Sequence, residues 1–450
     1  MRILLIASNT ASTPCPIYPL GVSMIAAALR NGGHEVCQFD FLQSNKSMDA
    51  LCETIRNNAP NIIGVSIRNI DNVNYLSEQR YIDVAKDIVQ TIHAQTSVPV
   101  VLGGAGFSIM PEAILREVGA DYGIVGEGEA LMLEFVANAE KGEYPKKRCI
   151  RAISKLSGEK IPSAYYDPKI MEFYLKRGNI GSVQTKRGCT HKCVYCSYPI
   201  LEGTSIRCRD PKAVVDDIQM LTDTHKAKYI FFTDSVFNDD QKHYLNVVRE
   251  MAKRGVSIPW TAFFKPEKLD DEIIALMKQT GLKAAELGSD APANTTLRKL
   301  GKSFLFKDII ECNDSFVRSG IATAHYYMFG CPGETRETVL EGIENIKSLR
   351  KAVSFIFMGI RILPGTGLEH IALKEGLLSN GQDLLKSVYY ISPNIDKQWL
   401  KETLTKAFSG IKHCIFPPDA GDTTLQFLHK LGYSGSMWDM LIAGNKKLDE

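Results

Sequence analysis

This sequence of 450 residues predicts an α/β protein with two parallel-sheet units in tandem and a small C-terminal extension. Three observations carry that prediction. Short apolar runs alternate with helical patterns over residues 1–145 and again over 181–375; such a rhythm builds parallel sheets, because each return crossing takes a helix. Residues 146–180 between them are polar, carry prolines and lack a period, as a linker does. Residues 376–450 abandon the alternation for material rich in aromatics and proline.

Composition narrows the function classes. Basic and acidic residues nearly cancel, 53 against 51, for a net charge of +2, so bulk charge favours neither nucleic acid nor an anionic membrane as partner. The 11 cysteines are odd in number and scattered, which argues against a disulfide framework and for a reducing, cytoplasmic setting. Arg2-Ile3-Leu4-Leu5-Ile6-Ala7 is too short for a signal sequence and reads as a strand. No apolar run approaches the ~20 residues of a membrane span.

In the first unit, strands are expected at 3–7, 35–39, 62–67, 98–102 and 122–125, with helices such as 20–30, closed by Gly32-Gly33, and 81–93. The expected sheet is doubly wound and Rossmann-like, with ligands outside the carboxyl ends of its strands. The polar loops 8–19 and 66–74 and the glycine-rich loops 103–108 and 126–129 fall at those ends. In the second unit, strands are expected at 182–186, 229–233, 258–263, 284–287, 323–329 and 355–362, separated by helical patterns at 211–221, 241–253, 271–278, 307–318 and 337–349.

The loop after the first of those strands is Gly188-Cys189-Thr190-His191-Lys192-Cys193-Val194-Tyr195-Cys196-Ser197-Tyr198. Cysteines at x3 and x2 spacing reach three corners of one small cluster, and three thiolates suit a 4Fe-4S cluster with one iron left open. A redox pair at Cys193 and Cys196 would leave Cys189 idle. A zinc site would need a fourth ligand, for which His191 is at hand.

This loop, with an aromatic residue, Tyr195, just before the last cysteine, resembles the signature of the radical S-adenosylmethionine (SAM) superfamily. The resemblance implies a partial (β/α)6 barrel for the second unit. It also implies that SAM chelates the open iron and that one electron, from a donor such as flavodoxin or ferredoxin, cleaves it to a 5′-deoxyadenosyl radical. Where the family has Gly-Gly-Glu for the SAM amino group, this chain has Thr233-Asp234-Ser235. Asp234 could bind the SAM ammonium, cap the open iron, or serve as a helix N-cap. Glu286 and Ser289 resemble the fourth-strand motif for the SAM ribose and carboxylate, and Arg361 is placed with the same cofactor-binding set. Phe329-Gly330-Cys331-Pro332-Gly333-Glu334-Thr335 resembles a structural turn of the family.

The first unit resembles the cobalamin-binding domain that precedes many radical SAM barrels. The matching phrases contain Pro19 and Leu20, Gly103 and Gly104 with Ser108, and Gly126 and Glu127. Cobalamin domains that ligate cobalt from below carry Asp-x-His-x-x-Gly, whereas the corresponding loop here, Ser66-Ile67-Arg68-Asn69-Ile70-Asp71-Asn72, has no histidine. It resembles the subgroup without a lower protein ligand, which places Arg68 and Asn69 near the lower corrin face. A guanidinium there has no lone pair to donate. His34 and His93 read as structural, and Cys15 is the cysteine outside the cluster loop that could face the corrin. The implied activity is methylation of a carbon centre of a small molecule through methylcobalamin. A non-methylating rearrangement, cyclisation or carbon–carbon bond formation is the alternative, and a cobalamin or SAM sensor with a structural cluster is the third. The C-terminal extension is either a lid on the barrel mouth or a cap on its base.

Overall fold

The computed structural model describes residues 1–13 and 15–443. The first sheet comprises β1 (Arg2–Ala7), β2 (Glu35–Asp40), β3 (Ile62–Ser66), β4 (Val100–Gly103), β5 (Tyr122–Val125) and β6 (Cys149–Arg151). Their order is β2-β1-β3-β4-β5-β6, and every pair is parallel. The period of two sorts the strand residues onto two apolar layers. Leu4, Ile6, Ile63 and Val65 pack with Ile88 and Ile92 on one face, and Ile3, Leu5 and Val101 with Val22, Leu29 and Met132 on the other.

The second sheet comprises β7 (Ile180–Val183), β8 (Tyr229–Phe232), β9 (Trp260–Phe264), β10 (Leu282–Asp290), β11 (Ala322–Phe329), β12 (Ala352–Met358) and β13 (Cys414–Ile415). They run in chain order, all parallel, as an open barrel wall. Ile230, Phe232, Trp260 and Phe264 face the outer helices with Val214, Val247 and Ile274. Phe231, Phe263, Tyr326 and Phe355 alternate to the inside, where their rings meet in series: 5.5 Å for Phe231–Phe263, 6.0 Å for Phe263–Tyr326 and 5.3 Å for Tyr326–Phe355.

The structure differs from the sequence expectation in four places. β6 and the helix Pro168–Gly178 occupy the stretch read as linker. The strand has only Cys-Ile-Arg to signal it, while the helix carries an Asp167 cap and Pro168 at its first turn, a start signal that went unread. The expected strand over 355–362 breaks at Gly359, whose φ of +77° turns the chain. Beyond the break Ile360–Arg361 pairs antiparallel with Tyr389–Tyr390. The expected first barrel strand ends at Val183, and Lys186–Arg187 instead pairs antiparallel with Arg207–Cys208. The extension goes to both ends of the barrel. Leu384, Ser387 and Tyr389 lie beside Arg361, Asp71 and Tyr75 at the mouth. Leu425 and Trp438 pack with Ala284, Val353 and Phe355 at the base. Among the described residues no helix is long and apolar enough to cross a membrane.

Candidate active site

The cysteine loop leaves the hairpin Lys186–Arg187/Arg207–Cys208 and is pinned on two sides. The Val194 N–H donates to Leu300 O at 3.0 Å, and Val194 O accepts from the Leu368 N–H at 2.7 Å. At Gly301, with φ +77°, a Cβ would lie 2.6 Å from Lys192 O, so this turn can press on the loop only as glycine. Cys189 is buried, and Cys193 and Cys196 are half-buried. Burial, together with the neighbouring Cys193 and Cys189, pushes the Cys196 thiol up to about 11. Among the described residues no three His, Cys, Asp or Glu side chains converge on a single-ion position. Three cysteines carried on one short loop suit a 4Fe-4S cluster, whose irons would take them as thiolates.

A cavity of about 570 Å³ lies between the two sheets. It opens at the carboxyl ends of β1, β3, β4 and β5, where the strand order reverses across β1 and β3. Leu20, Arg68, Asn69, Gly103, Gly104, Ser108, Gly126 and Glu127, expected as cofactor-binding residues, all line it. Pro19 does not; its carbonyl accepts from the Val22 N–H at the start of the helix Leu20–Asn31. A narrow apolar extension runs between β1 and β3 toward Met132, where a Cβ on Gly64 would come within 2.8 Å of Leu5 Cδ2. Ser108 joins two of the loops, donating to Gly104 O at 2.9 Å and accepting from the Gly126 N–H at 2.8 Å. A polar rim over an apolar slot fits cobalamin, with its amide-edged corrin and flat nucleotide base.

Arg68 is the electrostatic anomaly of this cavity. It makes no hydrogen bond or ion pair with any described residue, and its exposed side chain lines the cavity wall. Burial lowers its pKa; its polar neighbours are Tyr198, Tyr174, Tyr81 and Cys15. The barrel unit supplies the facing wall, with Arg187, Tyr198, Leu201 and Glu202. Arg187 pairs with Glu129 at 2.5 Å and Glu127 at 3.5 Å, and Arg207 pairs with Glu127 at 2.6 Å. Burial pushes the Glu127 carboxyl up, but the hydrogen bonds from Arg207 and the Leu156 N–H outweigh it, and the group titrates below its ordinary range. Glu127 is thus a clamp between the units as well as cavity lining.

The residues expected around SAM separate. Asp234 is buried and saturated: it accepts from the Thr185 N–H at 2.8 Å, the Thr185 hydroxyl at 2.6 Å and Lys186 Nζ at 3.1 Å. Neither the SAM ammonium nor an iron cap matches that placement, and it is no helix cap. Ser235 donates to Gly188 O at 3.1 Å and so braces the cysteine loop. Ser289 is 2.9 Å from His325 Nδ1, on the side turned to the helix Phe306–Arg318, and does not face the mouth. Arg361 is buried and committed to Asp71 at 2.8 Å and to the carbonyls of Ile362 and Leu384, so three of its five N–H donors join the units. Glu286 faces the barrel interior, where burial pushes its carboxyl up to about 7 against a 2.6 Å hydrogen bond from Tyr326.

Glu129 and Tyr198 stand in their sequence loops without an expected site role, and sequence reasoning did not single out Arg187 or Lys302. Arg187 and Tyr198 flank the cysteine motif in sequence, so the motif itself is the local signal for them. Lys302 meets Tyr195 only through the tertiary fold, its Nζ donating to the Tyr195 hydroxyl at 3.3 Å.

Comparison with known proteins agrees with this geometry. Residues 8–136 match the family model of the B12 binding domain, and residues 183–366 that of the radical SAM superfamily. The chain is 25% identical to tryptophan 2-C-methyltransferase of Streptomyces laurentii, over 78% of this chain and 72% of that protein. It is 26% identical to the anaerobic magnesium-protoporphyrin IX monomethyl ester cyclase of Rubrivivax gelatinosus, over 76% and 64%. Among solved structures, the radical SAM methyltransferase TsrM from Kitasatospora setae, with cobalamin and a [4Fe-4S] cluster bound, shares the fold with a TM-score of 0.86 at 23% identity, covering 98% of this chain and 97% of that one. The first match spans β2 to β5 and the second β8 to β12, one in each sheet and in chain order, and the chain is a radical SAM protein with an N-terminal B12-binding domain.

Proposed function

We propose that this protein is a cobalamin-dependent radical SAM methyltransferase acting on a carbon centre of a small molecule. The observation that carries the reading is the shared cavity: an unpartnered guanidinium on one wall, and on the other the segment Ser197–Tyr198 that continues directly from the third cysteine. With cobalamin, SAM and the 4Fe-4S cluster bound, the chemistry supplied is passage of a SAM methyl group by way of cobalt to carbon, with the cluster as one-electron store.

The chain's own residues position and shield. Cys189, Cys193 and Cys196 hold the cluster as thiolates. Arg68 would stand beneath the corrin as a fixed cation, which has no lone pair for cobalt and so keeps that face free of a protein ligand. Arg187, Arg207, Glu127 and Glu129 cross-link the two units beside the cavity and exclude water from it. A one-electron donor such as flavodoxin or ferredoxin would supply the cluster.

Anaerobic reconstitution with iron, sulfide and hydroxocobalamin, followed by desalting, tests the reading. We expect retained corrin bands like those of water-ligated cobalamin, and label from methyl-labelled SAM in an organic product. Iron–sulfur absorbance without corrin would remove the cobalt route. A cyclising or other non-methylating reaction is the second reading, favoured by the similarity to the magnesium-protoporphyrin ester cyclase; retained corrin with no transferred label would select it.

A further inference from the structure

The turn that pins the cysteine loop also delivers a charge to it. Leu300 O accepts from the Val194 N–H, and two residues later the side chain of Lys302 enters the loop's surroundings, only 8% exposed. Its Nζ donates to the Tyr195 hydroxyl at 3.3 Å, lies 5.5 Å from the centre of that ring and 5.8 Å from the centre of the Phe304 ring. Tyr195 stands between Cys193 and Cys196 in sequence, so the ammonium is tied to the segment that carries two of the three thiols. Asp290, at the end of β10, forms an ion pair with Lys302 and is itself 15% exposed. Its φ of +62° places it in the left-handed region. The pair is shielded from water, and its field on nearby charge is correspondingly strong.

We propose that Lys302, held by Asp290, is a positioning residue that sets the reduction potential of the cluster carried by this loop. The inference rests on the cluster reading of Cys189, Cys193 and Cys196. Reduction adds one electron, supplied by an external one-electron donor, to a cluster that already bears thiolate charge. No proton transfer or bond change is required. A fixed ammonium beside Tyr195 stabilises the added negative charge and raises the potential, while the Asp290 carboxylate tempers that effect. The two members of one ion pair therefore have opposite signs of influence.

The test is a potentiometric titration of the full-length, anaerobically reconstituted protein without SAM, followed by visible absorbance and by the electron paramagnetic resonance of the reduced cluster. For Lys302→Met we expect the reduced-to-oxidised ratio at a fixed potential to fall about tenfold, a downward shift of about 59 mV for a one-electron couple. Asp290→Asn should shift the midpoint upward, and Lys302→Arg should restore it toward wild type. Where Lys302→Met fails to take up iron, Asp290→Asn decides alone, because it retains the cation. Unchanged midpoints in cluster-loaded variants, or an Asp290→Asn shift downward, would overturn the proposal. A wild-type protein that binds no iron would instead overturn the cluster reading itself.

Discussion

At the scale of single residues, Asp234 separates a structural carboxylate from a ligand. Its two oxygens take Thr185 and the buried Lys186, and Lys186 also lies 3.4 Å from Asp239. Replacing Asp234 by Asn removes a buried countercharge, and breaking such pairs costs about 3 kcal/mol or more. We therefore expect Asp234→Asn to lower the melting temperature of the protein even without SAM. A variant with wild-type thermal stability and only weakened SAM binding would return the residue to the cofactor. Glu334 makes a pH prediction. It accepts from the N–H groups of Gly330 and Cys331, its Oε1 is buried without a hydrogen-bond partner, and burial pushes the carboxyl up to about 8. In the unfolded chain the same group titrates near 4.5. Between those values the unfolded state gives up a proton that the folded state keeps. Its contribution to stability is thus complete below the lower value and falls by about 1.4 kcal/mol per pH unit as pH rises toward 8. Glu334→Gln mimics the protonated form, so its stability relative to wild type should climb from pH 5 to pH 8 in denaturant titrations. A flat difference would show that the carboxyl is ionised throughout.

At the scale of elements, what was legible followed from period and spacing, and what was not depended on pairing. β1 to β5 announce themselves as short runs ending in polar loops, glycine-rich after β4 and β5, and the cavity forms at the loops after β3, β4 and β5. β6 and β13 have three and two residues and become strands only because β5 and β12 present open edges to them. No property of Cys-Ile-Arg or Cys-Ile alone distinguishes them from loop. The cysteine loop was legible because ligand spacing is local. The SAM set was not, because a residue at a strand end points inward or outward according to register, and register is fixed by neighbours. Ser289 shows the consequence: it sits at the carboxyl end of β10 as expected, yet bonds to His325 on the outward side of β11. Asp234 was assigned by motif and Arg361 by placement with the same set, and both are taken by partners distant in sequence, 48 residues away at Lys186 and 290 at Asp71.

At the scale of the whole molecule, the two units share one cavity, so whatever joins them also shapes the site. Arg361 and Asp71 are each 2% exposed and lie 2.8 Å apart, one on the turn after β12 and the other in the loop that carries Arg68 and Asn69. Ser387 of the extension adds a bond to the same carboxylate at 3.2 Å. Arg361→Met would leave Asp71 buried without its cation, at a cost of about 3–5 kcal/mol. It would also free the Arg68 loop from the barrel unit. The sequence expectation of a cofactor ligand and the observed link between units then predict different thermal melts. A cofactor ligand would leave the melting temperature of the ligand-free protein unchanged. A link between units lowers it, and also reduces the rise produced by saturating hydroxocobalamin. That rise corresponds to about 2.7 kcal/mol when ligand stands at a hundredfold excess over its dissociation constant. In the variant, part of the binding energy must first re-form the cavity wall, so apparent affinity falls and the increment shrinks at equal ligand concentration. Melting curves of wild type and Arg361→Met, each with and without hydroxocobalamin, measure both quantities. An unchanged increment on a lowered baseline would confine Arg361 to stability and detach it from the shape of the cavity.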